Sequence, residues 1–374
     1  KYCYLMRWFF LAKKVSVEET KMEIKEYLKT KVPLIEKEIE NFIPRSANKK
    51  WIESILGKTV FELDLDAYTK GVNEPIWDLL DRGGKRFRPV LTCLAAEAVG
   101  GSYESAQKLA PIVEIIHNGT LMCDDVEDDS NARRGKACTH KIYGVDTAIN
   151  TGTIMYYWPM SKIVTNEFKL SEKKKAAIVD LYLTEMLRVS CGQAWDIAWH
   201  RGGYTPNEKH YLNMCLCKTG VLTRFACELG AIIGGANKKQ QDSLAEFGQI
   251  IGVAFQIQDD ILELTETNFK EKKGSIGGDI HEGKRTLIVI RTLQVANEVD
   301  KKRLIEILDS HTTEEKVIEE ALNIINKYDG IKYSKNKAEK LVESAWKKLD
   351  KQLPKSNAKI MLQKFAEYLV ERKI

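Results

Sequence analysis

Residues 109–129 read LAPIVEIIHNGTLMCDDVEDD. Apolar side chains at Leu109, Ile112, Val113, Ile115 and Ile116 follow the i, i+3, i+4 spacing of a helix, and Ser102 and Ser105 can cap it. The stretch predicts an apolar helix that runs straight into the acidic cluster Asp124-Asp125-Val126-Glu127-Asp128-Asp129. Residues 244–263, LAEFGQIIGVAFQIQDDILE, repeat the plan, ending in Asp259, Asp260 and Glu263. Carboxylates one turn apart, such as Asp124 and Asp128 or Asp259 and Glu263, share one helix face. Two such faces pointing at each other repel unless cations sit between them. Oxygen-only ligands suit Mg²⁺, which binds through a few carboxylates plus water and substrate phosphate. Basic residues follow both clusters: Arg133 and Arg134 after the first, Lys284 and Arg285 after the second. Such side chains hold phosphates. The pattern points to a diphosphate bridged by magnesium to two Asp-rich helices.

Outward from these helices, strand signals are nearly absent. Val17 to Ile43 carries helical apolar spacing, with Pro33 expected to kink or split it. Ser171 can cap a helix through Val189. Thr205-Pro206-Asn207-Glu208 has the form of a capping box opening a helix through Leu222, and Thr312 to Glu315 resembles another. Glycine pairs at 83–84, 202–203, 234–235 and 277–278 mark turns. The expected fold is all-α: one large helical-bundle domain over residues 17–374, of roughly a dozen helices. Residues 1–16 form an N-terminal extension, an apolar stretch between basic flanks and too short to span a bilayer. It is either a targeting or anchoring element or a simple extension.

The 374 residues are 44% hydrophobic, enough for a large core. A net charge of +5 is too small and too dispersed for a nucleic-acid partner. Eight cysteines without a CxxC pair read as reduced core thiols, so the expected location is cytoplasmic. An organelle is the alternative if the extension is a targeting remnant.

Five segments, in order, resemble those of the trans-isoprenyl diphosphate synthase family. They are Gly83-Gly84-Lys85-Arg86-Phe87-Arg88-Pro89, the first acidic cluster with Arg133-Arg134, Gly192-Gln193-Ala194-Trp195-Asp196, Lys218-Thr219-Gly220, and Gln256 to Asp260 followed by Gly278-Asp279. Within the family the chain looks most like geranylgeranyl diphosphate synthases. The resemblance implies a helical bundle of isoprenoid-synthase type with a central active-site cavity. It implies Mg²⁺-dependent head-to-tail condensation of isopentenyl diphosphate with dimethylallyl, geranyl or farnesyl diphosphate. It further implies three Mg²⁺ per active site, and a homodimer formed through helices near Gly119 to Gly152.

The resemblance assigns metal binding to Asp124, Asp125, Asp128, Asp259 and Asp260, with Asp125 and Asp260 in supporting positions. Asp124, Asp128, Asp259, Lys218 and Arg133 are the implied catalytic set. Gly84, Lys85, Arg88, His117 and Arg134 match the isopentenyl diphosphate pocket. Arg133, Lys218, Thr219, Lys273 (or Lys272, because the alignment slips by a residue) and Lys284 match the allylic diphosphate shell. Glu263 stands where the family pattern has aspartate. Chain length is implied to be set by Val113, Ile116, Gly119 and Thr120. With no bulky aromatic at 119 or 120, a twenty-carbon product is expected, and Gly119→Phe is expected to shorten it. The alternatives are a longer polyprenyl product and a non-catalytic regulatory paralogue. A terpene cyclase is disfavoured by the Asp259-Asp260 pair and the Lys85–Arg88 pocket.

Overall fold

The computed structural model describes residues 23–265 and 278–371. The N-terminal extension and Lys273 lie outside the described residues. The longer helices, labelled in chain order, are α1 (Ile24–Phe42), α2 (Phe87–Ala98), α3 (Pro111–Glu127), α4 (Val145–Val164), α5 (Glu172–His200), α6 (Glu208–Lys218), α7 (Gly220–Gly234) and α8 (Lys238–Thr265). They continue as α9 (Leu287–Val295), α10 (Glu298–Asp309), α11 (Glu315–Lys327), α12 (Gly330–Leu349) and α13 (Asn357–Glu371). The fold is all-α, as expected. The small exception among the described residues is a hairpin of β1 (Ala132–Arg133) and β2 (Lys136–Ala137), two residues each.

Helices α7 and α8 pack on each other at the centre, with α2 against α7, α12 against α8, and α4 against α3. One apolar core runs from Ile24 to Val370. Pro33 does not split α1. Pro33 and Lys29, whose carbonyl loses its helical partner, are both exposed, so water can replace the missing N–H. The buried stripe Ile24, Leu28, Ile35, Ile39 and Phe42 holds the helix to the core on the other side.

Two other boundaries differ from expectation. α6 starts after Asn207, whose side chain accepts the His210 N–H, so Pro206 lies ahead of the cap and not inside the helix. That helix also stops at Lys218, and α7 begins afresh at Gly220. The break at Thr219 turns Lys218 and Thr219 towards the interior cavity. Among the described residues no helix is long and apolar enough to cross a membrane.

Candidate active site

The C-terminal end of α3 and the C-terminal half of α8 face one cavity of about 680 Å³. Asp124 of α3 and Asp128, which caps its C-terminus, line it on one side, and Asp259, Asp260 and Glu263 of α8 on the other. Helices α5 and α6 contribute Gln193, Asp196, Tyr211 and Lys218, and the segment after α8 contributes Asp279 and Lys284.

Lys218 is the hub of one wall. Its Nζ lies 2.6 Å from Asp196 Oδ2 and 3.1 Å from Asp124 Oδ1. Gln193 Nε2 donates to the same Asp124 oxygen at 2.8 Å and to Glu127 Oε2 at 2.6 Å. Gly192 makes this crossing possible, because a Cβ there would sit 2.4 Å from the Lys218 backbone nitrogen. Burial pushes the Asp124 carboxyl up, but Lys218, Lys284 and Arg133 outweigh it and hold it well below the usual range.

Asp128 is in the opposite condition. Burial and the charge on Asp124 raise its carboxyl to about 7, with only partial relief from Lys284 at 3.5 Å. Its Oδ1 is buried and has no hydrogen-bond partner. A buried carboxylate oxygen without a partner is costly, and a hard cation is what an oxygen donor of this kind accepts. The residues present therefore fit Mg²⁺. Among the described residues no three His, Cys, Asp or Glu side chains converge as a ready-made chelate. Asp124 lies on α3, Asp128 at its C-terminal cap and Asp259 on α8, an arrangement suited to ions shared with water and phosphate oxygens.

Asp125 and Asp260 are each bonded to the protein, although Asp125 Oδ2, like Asp128 Oδ1, is buried without a hydrogen-bond partner. Asp125 is buried and paired with Arg133, whose Nε lies 2.9 Å away. Asp260 accepts from Tyr211 Oη at 2.6 Å and from Gln256 Nε2 at 2.8 Å. Thr219 Oγ1 donates to the same Gln256 at 2.7 Å, tying the α6–α7 break to α8.

A second cluster, at the N-terminal end of α2, is basic. Lys85 Nζ and Arg88 Cζ each lie 6.0 Å from the centre of the Phe255 ring. Arg88 Nη1 donates to His117 Nε2 at 3.2 Å, so that nitrogen is the acceptor and Nδ1 carries the proton. Burial, together with Arg88 and Arg134, pushes the His117 imidazolium well below its ordinary range and keeps the ring neutral. Burial likewise pulls Arg88 down to about 10, although Glu114 and Asp259 oppose it. Arg134 also falls to about 10, through burial and the neighbouring Arg86, Arg133 and Arg82. This half of the site has an excess of positive charge.

Backbone geometry presents these cations. Arg134 and Gly135 form a two-residue hairpin loop with φ of 54° and 78°, the left-handed pair that a tight hairpin of this twist needs. Arg134 Nη1 donates to the Leu79 carbonyl at 3.2 Å, and a Cβ on Gly84 would lie 3.4 Å from the Arg134 guanidinium. Arg86 has φ of 44° and is buried. It bonds Glu36 at 2.7 Å, Glu114 at 2.9 Å and the Leu80 carbonyl at 2.7 Å. Arg86 thereby anchors the turn from which Lys85 reaches out, exposed, and Arg88 reaches in.

The four expected chain-length residues sit in different surroundings. Val113 and Ile116 are fully buried in the core. Thr120 lines the cavity. Gly119 faces α4, and a Cβ there would meet Met155 Cβ at 2.8 Å and the Gly152 carbonyl at 3.0 Å. A Cβ there would also lie 3.2 Å from Tyr156 Cδ1, so a side chain at 119 enters between α4 and the cavity-lining Tyr156. Among the aromatics that line the cavity with Thr120 and Leu121 is Tyr156 of α4. Tyr156, Tyr211 and Asp196 carried no role in the sequence reading. Only Asp196 had a legible signal, lying one turn after Gln193 on α5.

The comparisons agree with this geometry. The family model described as "Polyprenyl synthetase" matches residues 69–325. A short chain isoprenyl diphosphate synthase of Methanothermobacter thermautotrophicus is 34% identical over 296 residues, 79% of this chain and 88% of that protein. A geranylgeranyl diphosphate synthase of Sulfolobus acidocaldarius is 32% identical over 80% of this chain and 90% of its own length. Among solved structures, the geranylgeranyl pyrophosphate synthetase of Pyrococcus horikoshii superposes with a TM-score of 0.81 at 30% identity, covering 94% of this chain and 98% of that one.

Proposed function

Because the chain belongs to the polyprenyl synthetase family, and is thus a prenyltransferase that elongates isoprenoid chains, we propose that it condenses isopentenyl diphosphate head to tail with dimethylallyl, geranyl and farnesyl diphosphates and stops at geranylgeranyl diphosphate. The observation that carries this reading is the opposite electrostatic bias within one site. Carboxylates of Asp124, Asp128 and Asp259 line one part of the cavity, with Lys218 and Lys284 among them, and Arg88 beside His117 lies in a basic part. One half suits a diphosphate brought with metal, and the other a diphosphate bound directly by cations.

Asp124, Asp128 and Asp259 would hold Mg²⁺, supported through the anchored Asp125 and Asp260. Mg²⁺ bound there supplies Lewis-acid stabilisation of the departing pyrophosphate. Arg133, Lys218, Thr219 and Lys284 orient the allylic diphosphate, and charged groups aimed at the leaving oxygens lower the barrier to breaking the C–O bond. Lys85, Arg88, neutral His117, Gly84 and Arg134 hold isopentenyl diphosphate so that its double bond attacks the allylic cation. Phe255, below Lys85 and Arg88, offers its ring face to that cation. The pyrophosphate takes the proton released as the new double bond forms. Incubation with Mg²⁺, isopentenyl diphosphate and each primer, followed by mass analysis, should give a twenty-carbon diphosphate from all three. Longer products would overturn the assigned length, and absence of turnover with every primer the activity.

We also infer a homodimer. Leu183, Leu187 and Trp195 on α5 are exposed, as are Ile149, Tyr157 and Val164 on α4. Residues 183, 187 and 195 recur at multiples of four and share a face, an apolar stripe of the kind that marks an interface. The stripe lies on α4 and α5, whereas Gly119 and Gly152 are enclosed between α3 and α4. Leu187→Glu is expected to halve the mass measured by light scattering; an unchanged mass would remove this face from the interface.

A further inference from the structure

We infer that Glu263 acts as a positioning residue, not as a metal ligand: it fastens the turn carrying Asp279 and Lys284 to the end of α8. The inference rests on the prenyl-transfer reading for its consequence, but its geometry stands alone. Glu263 is 3% exposed, and its Oε1 accepts the Asp279 backbone N–H at 3.0 Å. The Asp279 carbonyl in turn accepts the Lys284 N–H at 2.8 Å. Lys284 Nζ then lies 3.5 Å from Asp128 Oδ2 and 3.6 Å from Asp279 Oδ1, and pairs with Glu282. A continuous path therefore runs from the second acidic cluster to the first, and the Glu263–Asp279 bond is part of it.

The length of the side chain matters in this path. Aspartate is shorter by one carbon–carbon bond, about 1.5 Å. Withdrawing the acceptor that far from a 3.0 Å contact takes it beyond hydrogen-bond range. The turn has other anchors downstream. Arg285 pairs with Asp309 and the Gly283 carbonyl. His281 Nδ1 and His311 Nδ1 reach each other's backbone carbonyls at 2.9 Å and 3.2 Å. Loss of the Glu263 bond would loosen the turn without unfolding it.

The two roles predict opposite rankings of two variants. Glu263→Asp keeps the carboxylate and restores the residue of the family pattern, so a ligand tolerates it. Glu263→Gln keeps the reach and an acceptor oxygen but loses the charge, so a fastener tolerates it. Three readouts on the full chain decide: Mg²⁺ titration calorimetry with inorganic pyrophosphate, steady-state kinetics for the allylic diphosphate, and amide hydrogen exchange over residues 278–284. E263Q is expected within about twofold of the parent in all three. Loss of one hydrogen bond in E263D is expected to weaken Mg²⁺–pyrophosphate and raise KM by about fivefold, with kcat nearly unchanged and faster exchange across the turn. E263D equal to the parent, or exchange unchanged in E263D, would overturn the inference, as would E263Q losing metal affinity. If the parent itself fails to bind Mg²⁺–pyrophosphate, the prenyl-transfer reading falls, and hydrogen exchange alone still decides whether Glu263 fastens the turn.

Discussion

Asp124→Asn should cost about 10³-fold in kcat, because preorganised charge at the leaving group is the largest catalytic term and single groups of this kind carry about 10²–10³. The variant is nearly isosteric. Its amide oxygen can still accept from Gln193, and Lys218 keeps its 2.6 Å partner Asp196. Folding should therefore survive, and the melting temperature should stay close to that of the parent. KM for isopentenyl diphosphate should also hold, since the Lys85–Arg88–Arg134 cluster does not contact Asp124. Steady-state kinetics at saturating Mg²⁺ provide the check. A loss in kcat below tenfold would show that Asp124 does not bear on the departing pyrophosphate. Asp125→Asn offers the contrast. Asp125 is 1% exposed and carries the partner charge of Arg133. Breaking a buried pair of that kind typically costs about 3–5 kcal/mol, so this variant should lose stability as well as rate.

Product length is expected to respond at Tyr156 and not at Gly119. Tyr156→Ala removes the ring that faces the cavity beside Thr120 and Leu121 and should shift the main product upward by about one isoprene unit. Gly119→Phe instead drives a side chain into α4. Its Cβ alone would need space now held by Met155 Cβ at 2.8 Å and a backbone oxygen at 3.0 Å. Overpacking against a backbone that cannot yield costs about 3 kcal/mol or more. That variant should melt lower, while any remaining activity keeps the parental chain length. Chain lengths by mass spectrometry and thermal melts on the two proteins separate the effects. A shortened product from a stable Gly119→Phe protein would restore the plug at that position.

The difference between these two positions also shows what the sequence could and could not carry. Asp124, Asp128 and Asp259 were legible because two acidic clusters with basic followers occur together in an ordered set of motifs, whereas either cluster alone would read as surface helix charge. Arg88, His117 and Lys218 were legible because their motifs recur in order. Tyr156 was not, since one aromatic in a helix of aromatics gives no sign of which faces a cavity. The direction of Gly119 depends on how α3 and α4 cross. Tyr211 is 49 residues from Asp260, and a hydrogen bond at that separation leaves no local pattern. Pro33 looked like a break because proline removes a bond, but water repairs that bond on an exposed flank. The stop at Thr219 lies in a Lys218-Thr219-Gly220-Val221 run whose Thr, Gly and Val are weak helix formers.

The hairpin loop has one more consequence. In the proposed function Arg133, bound to Asp125, would serve the allylic diphosphate, and Arg134, beside Gly84, isopentenyl diphosphate. The anchors of the two diphosphates are thus consecutive residues, and consecutive Cα atoms are 3.8 Å apart whatever else moves. One peptide bond joins the two anchors, and each guanidinium is then set by its own partner, Asp125 for Arg133 and the Leu79 carbonyl for Arg134.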